Sequence, residues 1–504
     1  MNESGWGLHS EKVSQLEANV KRVTAGGRPL VRGRKAEEVS HITHGDVPGE
    51  KSVSFRSLDK IVEVRGEDGY VWVEPGVTME KLVTVCLERG CIPTVVPECK
   101  GITVGGAIMG AGLESASFLH GQFNDICLEY ELLLATGKPM RASPTQASDL
   151  FYGLAGSYGT LASLTCVKIA VVPAKGLVRV DYHVLDDVAA FNDLIKSVCA
   201  SQTPPDYFDG MGLADGRIVA MLGNRVKTSE MPKDATRTKL QGWWTPWFAQ
   251  RVIDKASTKL PASDYFSVYD YLFRYDRGAF WMGQFVTSPS ALFRVMSEYK
   301  LSQANLAQEL HEVYRKSPPK LNPGAIWRTL LGWKLSTRQL YKIFHKLPQT
   351  TRAHLYLVQD FYIPTQQLSR FLDHLQNKVG IYPLWLCPIK GATTGQFLCP
   401  HHLTDSTQFP QPDFVNVGVY GIPKSGVPIP NIVRELEQLA NDLGGRKVLY
   451  SFNFYSPEDF WKVYDRERYN ALRTHYGAEG VLANFYEKLN THHLIEDELR
   501  RSGV

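Results

Sequence analysis

The chain has no CxxC pair, no run of 18 apolar residues, no dense lysine and arginine block and no apolar core near its start. Its eight cysteines stand apart at 86, 91, 99, 127, 166, 199, 387 and 399, which excludes a zinc ribbon and a dithiol motif and leaves free buried thiols as the expectation. The missing apolar run argues against a membrane-spanning helix. A formal charge of +4 over 504 residues offers nucleic acid little to hold. Glu3, Glu11, Lys12 and Glu17 interrupt Met1–Val20, so no secretory signal is expected there and the expected location is cytoplasmic. Two nucleotide motifs are also missing. Gly110-Ala111-Gly112-Leu113-Glu114-Ser115 lacks the third glycine of the dinucleotide fingerprint, and no G-x-x-x-x-G-K-[ST] loop occurs. Cys399-Pro400-His401-His402 has no partner ligands at a recognisable spacing, and no metal site is expected.

What the chain does have is ordinary globular composition, 43% hydrophobic and 21% charged, and enough length for two or more domains. Ile61–Val64 and Tyr70–Glu74 flank Gly66-Glu67-Asp68-Gly69 and predict a hairpin. Thr78 predicts a helix cap, Met79, Leu82, Val83, Cys86 and Leu87 its buried face, and Gly90 its end. Thr103–Ser115 follows with four glycines, a place where the backbone can approach a flat or phosphorylated ligand because no Cβ intervenes. Alternation over 126–136 predicts a strand burying Leu128, Tyr130, Leu132 and Leu134, and 161–172 predicts another. The first third therefore reads as an α+β domain of short strands.

Beyond Lys175 the composition turns aromatic and basic. Trp243, Trp244, Trp247 and Phe248 form the densest aromatic patch, and 325–348 interleaves Trp327, Leu330, Leu331, Trp333, Leu340, Tyr341 and Phe344 with basic residues. Either stretch could border a hydrophobic tunnel, lie on a membrane surface or pack internally. Strands are expected at 354–358 and 414–420, and amphipathic helices at 365–377 and 431–443. These elements form a second α+β domain.

In order, the sequence presents Val73-Glu74-Pro75-Gly76-Val77, Pro93, Pro97, Thr103-Val104-Gly105-Gly106, Gly121–Ile126, Glu131–Gly137, Ser148–Tyr152 and Gly156–Leu161. This succession resembles the flavin-binding domain of the vanillyl-alcohol oxidase and p-cresol methylhydroxylase (PCMH-type) superfamily. Thr103–Ser115, Asp149–Tyr152, Pro173–Lys175, Trp281, Tyr382–Pro388, Tyr420-Gly421 and Phe460-Trp461 narrow the likeness to the Δ24-sterol reductase branch, over roughly Leu58 to Tyr486. The resemblance implies a two-subdomain FAD-binding domain over 1–175, a substrate (cap) domain over 176–445, and a segment over 446–504 that returns to the flavin. It implies FAD held without a covalent bond and NADPH as a transient reductant. It also implies a hydrophobic sterol or terpenoid substrate, reduced at a carbon–carbon double bond of its aliphatic tail. Members of that branch usually carry an N-terminal hydrophobic anchor, which Met1–Val20 does not show, so any membrane association is expected to be peripheral, at the endoplasmic reticulum. A flavin oxidase or dehydrogenase acting on an alcohol or terpenoid is the alternative function, and a scaffold that has lost its flavin is a third.

By the same resemblance the cofactor residues are Thr103, Val104, Gly105, Gly106, Ala107, Ile108, Met109, Gly110, Ala111, Gly112, Leu113, Glu114 and Ser115, with Ser117, Gly121, Ile126, Gly159 and Thr160. Amides at Gly105, Gly106 and Gly110 are expected to meet the pyrophosphate and the flavin edge, with hydroxyls from Ser115 and Ser117. Gly156, Gly159 and Thr160 support the same site or form a plain strand-entry turn. His120, like His41 and His44, stands where some relatives tether the flavin, and is expected to be a polar wall residue instead. Reduction of a C=C bond needs an acid beside the hydride donor, and an apolar pocket favours Tyr or His over a bare carboxylate. The segment Leu449–Tyr455, read as a strand returning towards the flavin, supplies Tyr450 as first choice, then Tyr455 and Asn453. Core packing is the competing role for all three.

Overall fold

The computed structural model describes residues 3–26, 31–33, 52–242, 244–257, 263–287, 303–316, 335–347, 349–392, 395–403 and 413–494. His41, His44, Trp243, Trp327, Leu330, Leu331 and Trp333 lie outside the described residues. The fold is α+β, with a short parallel pair of β1 (Val31–Gly33) and β2 (Ser52–Ser54) beside two larger sheets. The first sheet contains β3 (Ile61–Arg65), β4 (Tyr70–Val73), β5 (Cys91–Pro93), β6 (Cys127–Leu133), β7 (Pro139–Ala142) and β8 (Ser163–Pro173). Its order is β3-β4-β8-β6-β7, and β5 pairs with the far end of β8. The second contains β9 (Leu177–Leu185), β10 (Tyr207–Gly212), β11 (Ile218–Val226), β12 (Ser263–Ser267), β13 (Leu357–Pro364), β14 (Leu384–Ile389), β15 (Phe414–Gly421) and β16 (Arg446–Lys447). These pair antiparallel in the order β12-β9-β11-β10-β14-β15-β13-β16. The polypeptide passes from one sheet to the other across Ala174–Gly176. Its last helices turn back: Arg473 donates to the Thr160 carbonyl, Lys488 to that of Tyr158, and Tyr476 to Asp149.

Local chemistry explains the expected elements. The hairpin turns at Gly69, whose φ of 77° suits a residue without a Cβ. Thr78 Oγ1 accepts from the Lys81 amide and starts the helix Met79–Glu88, which buries Met79, Leu82, Val83 and Cys86; Gly90 follows it at φ 72°.

Four expectations are corrected. Leu128 is exposed because β6 slips register between Cys127 and Glu129, turning that residue outward. His354 and Leu355 end a helix, Gln349–Leu355, packed against the helices Gln303–Lys316 and Ile429–Asp442, and the strand starts at Leu357. The glycine segment is more than a loop, since Val104–Met109 is helical, capped by Thr103 Oγ1 on the Gly106 amide and buried through Val104, Ala107 and Ile108. Packing here outweighs the helix-weakening effect of two glycines. Finally, 449–455 is irregular, so the returning segment reaches the centre of the molecule without joining a sheet.

The helix Glu3–Ala25, which no sequence pattern announced, docks on the first sheet through ions. Buried His9 places Nδ1 2.9 Å from Glu74 and Nε2 2.8 Å from Glu131, and Lys12 lies 2.9 Å from Glu74. Two carboxylates facing both ring nitrogens favour the imidazolium, which donates from each. Against the opposing effect of burial, these hydrogen bonds raise the His9 pKa to about 9, from an unfolded value of 6.5. The stability this adds is fully present below pH 6.5 and is lost as pH rises through 9. The thermal midpoint should fall across that window, and His9→Gln should flatten the fall; an equal slope in wild type and variant would refute the assignment.

Candidate active site

Residues 98–126 are clamped between the two sheets. The Phe208 amide donates to the Ser115 carbonyl at 2.8 Å, the Cys387 thiol to that of Glu114 at 3.2 Å, and Gln122 Nε2 to the Tyr362 hydroxyl at 2.9 Å. Three polar clusters occupy this seam.

The first surrounds Arg274, whose Nη2 lies 3.0 Å from Asp209 Oδ2, neither residue's polar end reaching solvent. Tyr275 and Trp385 Nε1 donate to the same oxygen, each at 3.1 Å, and the guanidinium lies over the Tyr271 ring at 4.2 Å. Glu98 and Glu114 are close enough to feel this charge. Burial pushes the Glu98 carboxyl well up, and pushes Glu114 up to about 7 against the pull of Arg274 and its hydrogen bonds from Ser115 and the Ala116 amide.

The second cluster surrounds Asp360 on β13. Its Oδ1 accepts from Asn416 Nδ2 and the Tyr420 hydroxyl, each at 2.8 Å, and its Oδ2 from the Tyr450 hydroxyl at 2.7 Å. Aromatic rings adjoin it: Phe280 stacks on Tyr275 at 4.4 Å and meets Trp385 and Tyr420, each at 5.1 Å, and Trp281 Nε1 donates to the Tyr420 carbonyl. Ala279 and Phe280 hold left-handed backbone at φ 46° and 62°. Such strain persists only where neighbours over-determine it.

In the third, Asp125 accepts from the Gln122 amide, Gln396 Nε2 and His401 Nε2 at 2.6, 2.6 and 2.8 Å. His401, from the cysteine-histidine cluster of the sequence, is thus engaged by a carboxylate. No group of three potential ligands is positioned for a metal among the described residues.

The expected cofactor residues are brought together, though several are used differently. Gly156 and Tyr158 amides donate to the Ile108 and Met109 carbonyls, joining the glycine segment to 156–160. The Val104, Gly105, Gly106 and Gly110 amides already serve Val77 O, Pro75 O, Thr103 Oγ1 and Gly106 O, which corrects their expected freedom to donate to a pyrophosphate. Ala111, at φ 58°, and Leu113 have amides engaged by no other group among the described residues. Glu114, Ser115 and Ser117 hold one another: Ser115 Oγ donates to Glu114, and Ser117 Oγ accepts from the Glu114 amide, so the Ser115 hydrogen is committed to the turn. Gly112 packs tightly, its absent Cβ falling 2.9 Å from Pro97. Gly121, at φ 75°, abuts Asp125, and Ile126 ends the turn leading into β6. Thr160 Oγ1 donates to the Ser157 carbonyl beside Gly159, as in a strand-entry turn.

Among the acid candidates only Tyr450 joins the Asp360 cluster. Asn453 Nδ2 donates to the carbonyls of Leu449, Ser451 and Leu489, a clasp that consumes its donors. Tyr455 packs against Phe460 and gives its carbonyl to Tyr486 and Asn490. His120 is exposed, which corrects its expected place in a pocket wall. Trp244 is 57% exposed, whereas Trp247 and Phe248 are buried.

Sequence reasoning missed Arg274, Asp209 and Asp360. Charges embedded among aromatics in Tyr271-Leu272-Phe273-Arg274-Tyr275-Asp276-Arg277 were the available signal, because a charge inside an apolar stretch needs a buried partner.

An FAD fit can be judged from orphaned buried atoms. Glu98 Oε1, Gln122 Oε1 and Asn124 Oδ1 are acceptors without donors, Arg274 Nε is a donor without an acceptor, and the Tyr158 hydroxyl has no partner. A dinucleotide carrying hydroxyls, an imide N–H, ring carbonyls and phosphates supplies both kinds, so the residues fit. Residues 11–143 match the family described as FAD binding domain. The protein therefore has an FAD-binding domain. It is an FAD-dependent oxidoreductase, as the curated relatives it resembles indicate. Over 497 residues it is 27% identical to the Δ24-sterol reductase of Rattus norvegicus, covering 96% of this chain and 86% of that protein. Similarity to the Arabidopsis thaliana Δ24-sterol reductase is 26% over 476 residues, covering 89% and 78%. Cytokinin dehydrogenase 4 of Oryza sativa subsp. japonica is 27% identical over 234 residues, 45% of this chain and 44% of that protein. No helix among the described residues is long and apolar enough to cross a membrane.

Proposed function

We propose that the enzyme reduces a carbon–carbon double bond in the aliphatic tail of a sterol or sterol-like isoprenoid, with non-covalently held FAD and with NADPH as the transient reductant. Similarity to Δ24-sterol reductases along most of the sequence supports the substrate class. Tyr450 is the observation that carries the chemistry: it is a phenol packed against the main hydrophobic core and anchored through its hydroxyl to Asp360. When bound, the flavin supplies the hydride for one carbon of the double bond. Tyr450 gives the proton to the neighbouring carbon, and the rings of Phe280, Trp281, Trp385 and Tyr420 pack together beside the Asp360 that anchors it. Glu98, Gln122, Asn124 and Tyr158 offer their unpaired atoms to the cofactor. The same reading assigns 1–175 to the cofactor domain, 176–445 to the substrate domain, and 446–504 to the returning segment. A substrate of this kind partitions into membranes, and peripheral contact with the endoplasmic reticulum belongs to the proposal.

Anaerobic NADPH should bleach the visible flavin band, and an isoprenoid alkene should restore it. Tyr450→Phe should lower turnover about 10²-fold while flavin content is unchanged. Bleaching by an alcohol but not by NADPH would replace the reductase with an oxidase or dehydrogenase, and a protein that stays colourless with added FAD would leave only a scaffold.

A further inference from the structure

Half-buried Arg446, on β16, is a cation without an anion among the described residues. Its Nη1 donates to the carbonyls of Phe397 and Cys399, at 2.9 and 3.2 Å, and its guanidinium stands 5.3 Å from the centre of the Tyr464 ring. Nε and Nη2 have no hydrogen-bond partner among the described residues. Arg473 makes the contrast: both its Nη atoms are consumed, by the carbonyls of Thr160, Ala483, Ala478 and Leu482. A second unpaired cation stands beside the first. Arg468, from the helix Arg466–His475, lies over the Phe397 ring at 4.5 Å and forms no ion pair with any described residue.

Two neutral donors complete the group. The His402 amide donates to the same Cys399 carbonyl at 3.3 Å, and its Nδ1 is buried without a partner. Burial and the charges of Arg446, His401 and Arg468 hold this imidazole's pKa down, to about 4, so it adds no charge of its own near neutrality. Tyr158 shares Cys399 and Tyr464 with Arg446 as neighbours, and its buried hydroxyl also lacks a partner. The Tyr158 amide bonds to the Met109 carbonyl, and a Cβ on Gly110 would lie 3.8 Å from its ring, so the group adjoins the glycine segment. Gathering unpaired guanidinium groups in a partly buried place is unfavourable until an anion joins them. The planar fork of arginine matches the paired oxygens of a phosphate, to which an imidazole N–H and a phenol can also donate. We propose that Arg446, Arg468, His402 and Tyr158 form a binding site for a phosphate group of a nucleotide cofactor. The inference rests on the reading that the enzyme uses FAD and NADPH, which share this chemistry.

Arg446→Met removes the guanidinium and keeps much of its length. If the phosphate belongs to FAD, the variant should release flavin on dilution at least about 30-fold more readily than wild type, read from the visible band, with half-saturation by NADPH unchanged. If it belongs to NADPH, flavin content should match wild type, while the NADPH concentration for half-maximal anaerobic bleaching rises at least about 30-fold. Arg446→Lys should recover part of either effect, and Arg468→Ala and His402→Gln should each shift the same quantity by a smaller factor. Flavin release and NADPH half-saturation both within about threefold of wild type would overturn the site. Should circular dichroism show Arg446→Met unfolded, the same two measurements on Arg468→Ala and His402→Gln decide the matter. A wild type that neither holds flavin nor responds to NADPH strikes the cofactor reading instead. Inorganic pyrophosphate should then still raise its thermal midpoint and leave that of the arginine variants unchanged, and no rise in wild type would overturn the site as well.

Discussion

Replacing Arg274 by Met is expected to cost about 3–5 kcal/mol of stability, because it leaves a buried carboxylate without its cation. Asp209 would retain only Tyr275 and Trp385 as donors to Oδ2, and its Oδ1 already has no partner. Neither member of the pair touches solvent, so water cannot take over the role of the guanidinium. The stacking of Arg274 over Tyr271 is lost as well. Urea denaturation of the single variant against Arg274→Met/Asp209→Leu checks the reasoning. Removing both charges should recover much of the loss, since an apolar pair leaves no buried ion. A single variant within about 1 kcal/mol of wild type would mean that the pair is solvated or already neutral.

Gly106→Val should yield a folded protein that retains no flavin. Gly106 is exposed, and a Cβ built on it meets only Thr103 Oγ1, at 3.1 Å. Folding therefore tolerates the added methyls, while a cofactor lying against that open face does not. Gly112→Val is the contrasting control, because its Cβ would strike Pro97 and Ala107 and disturb packing whether or not a cofactor binds. Flavin absorbance per mole of protein, with circular dichroism to report the fold, distinguishes the two. Normal flavin in folded Gly106→Val would remove that face from the site.

The two variants probe information of different ranges. The hairpin at Gly69, the cap at Thr78 and the stop at Gly90 were legible because each depends on residues within a few positions. The order of the glycine and proline signals was likewise enough to mark the flavin domain, which the match over 11–143 bears out. Legibility failed where distant packing set the outcome. Val104–Met109 is helical despite Gly105 and Gly106 because its apolar face is buried, and Gln349–Leu355 is helical because two other helices cover it. The free amides of the glycine segment could not be anticipated either, since Pro75 and Val77 claim those of Gly105 and Val104 from a different turn of the backbone.

The sequence alone determined the class of cofactor, because the succession of glycine- and proline-marked turns that identifies the FAD-binding domain matched over 11–143 is set by neighbouring residues. Tertiary structure alone decided which buried acids find partners. Asp360 meets Tyr450 across 90 positions and Asp209 meets Arg274 across 65, and the register of β13 against β15 pairs Asp360 with Gly418, so that Asn416, two residues along the same face, reaches it diagonally. A buried charge gains its meaning from what surrounds it, and those surroundings exist only once the two sheets have closed on residues 98–126.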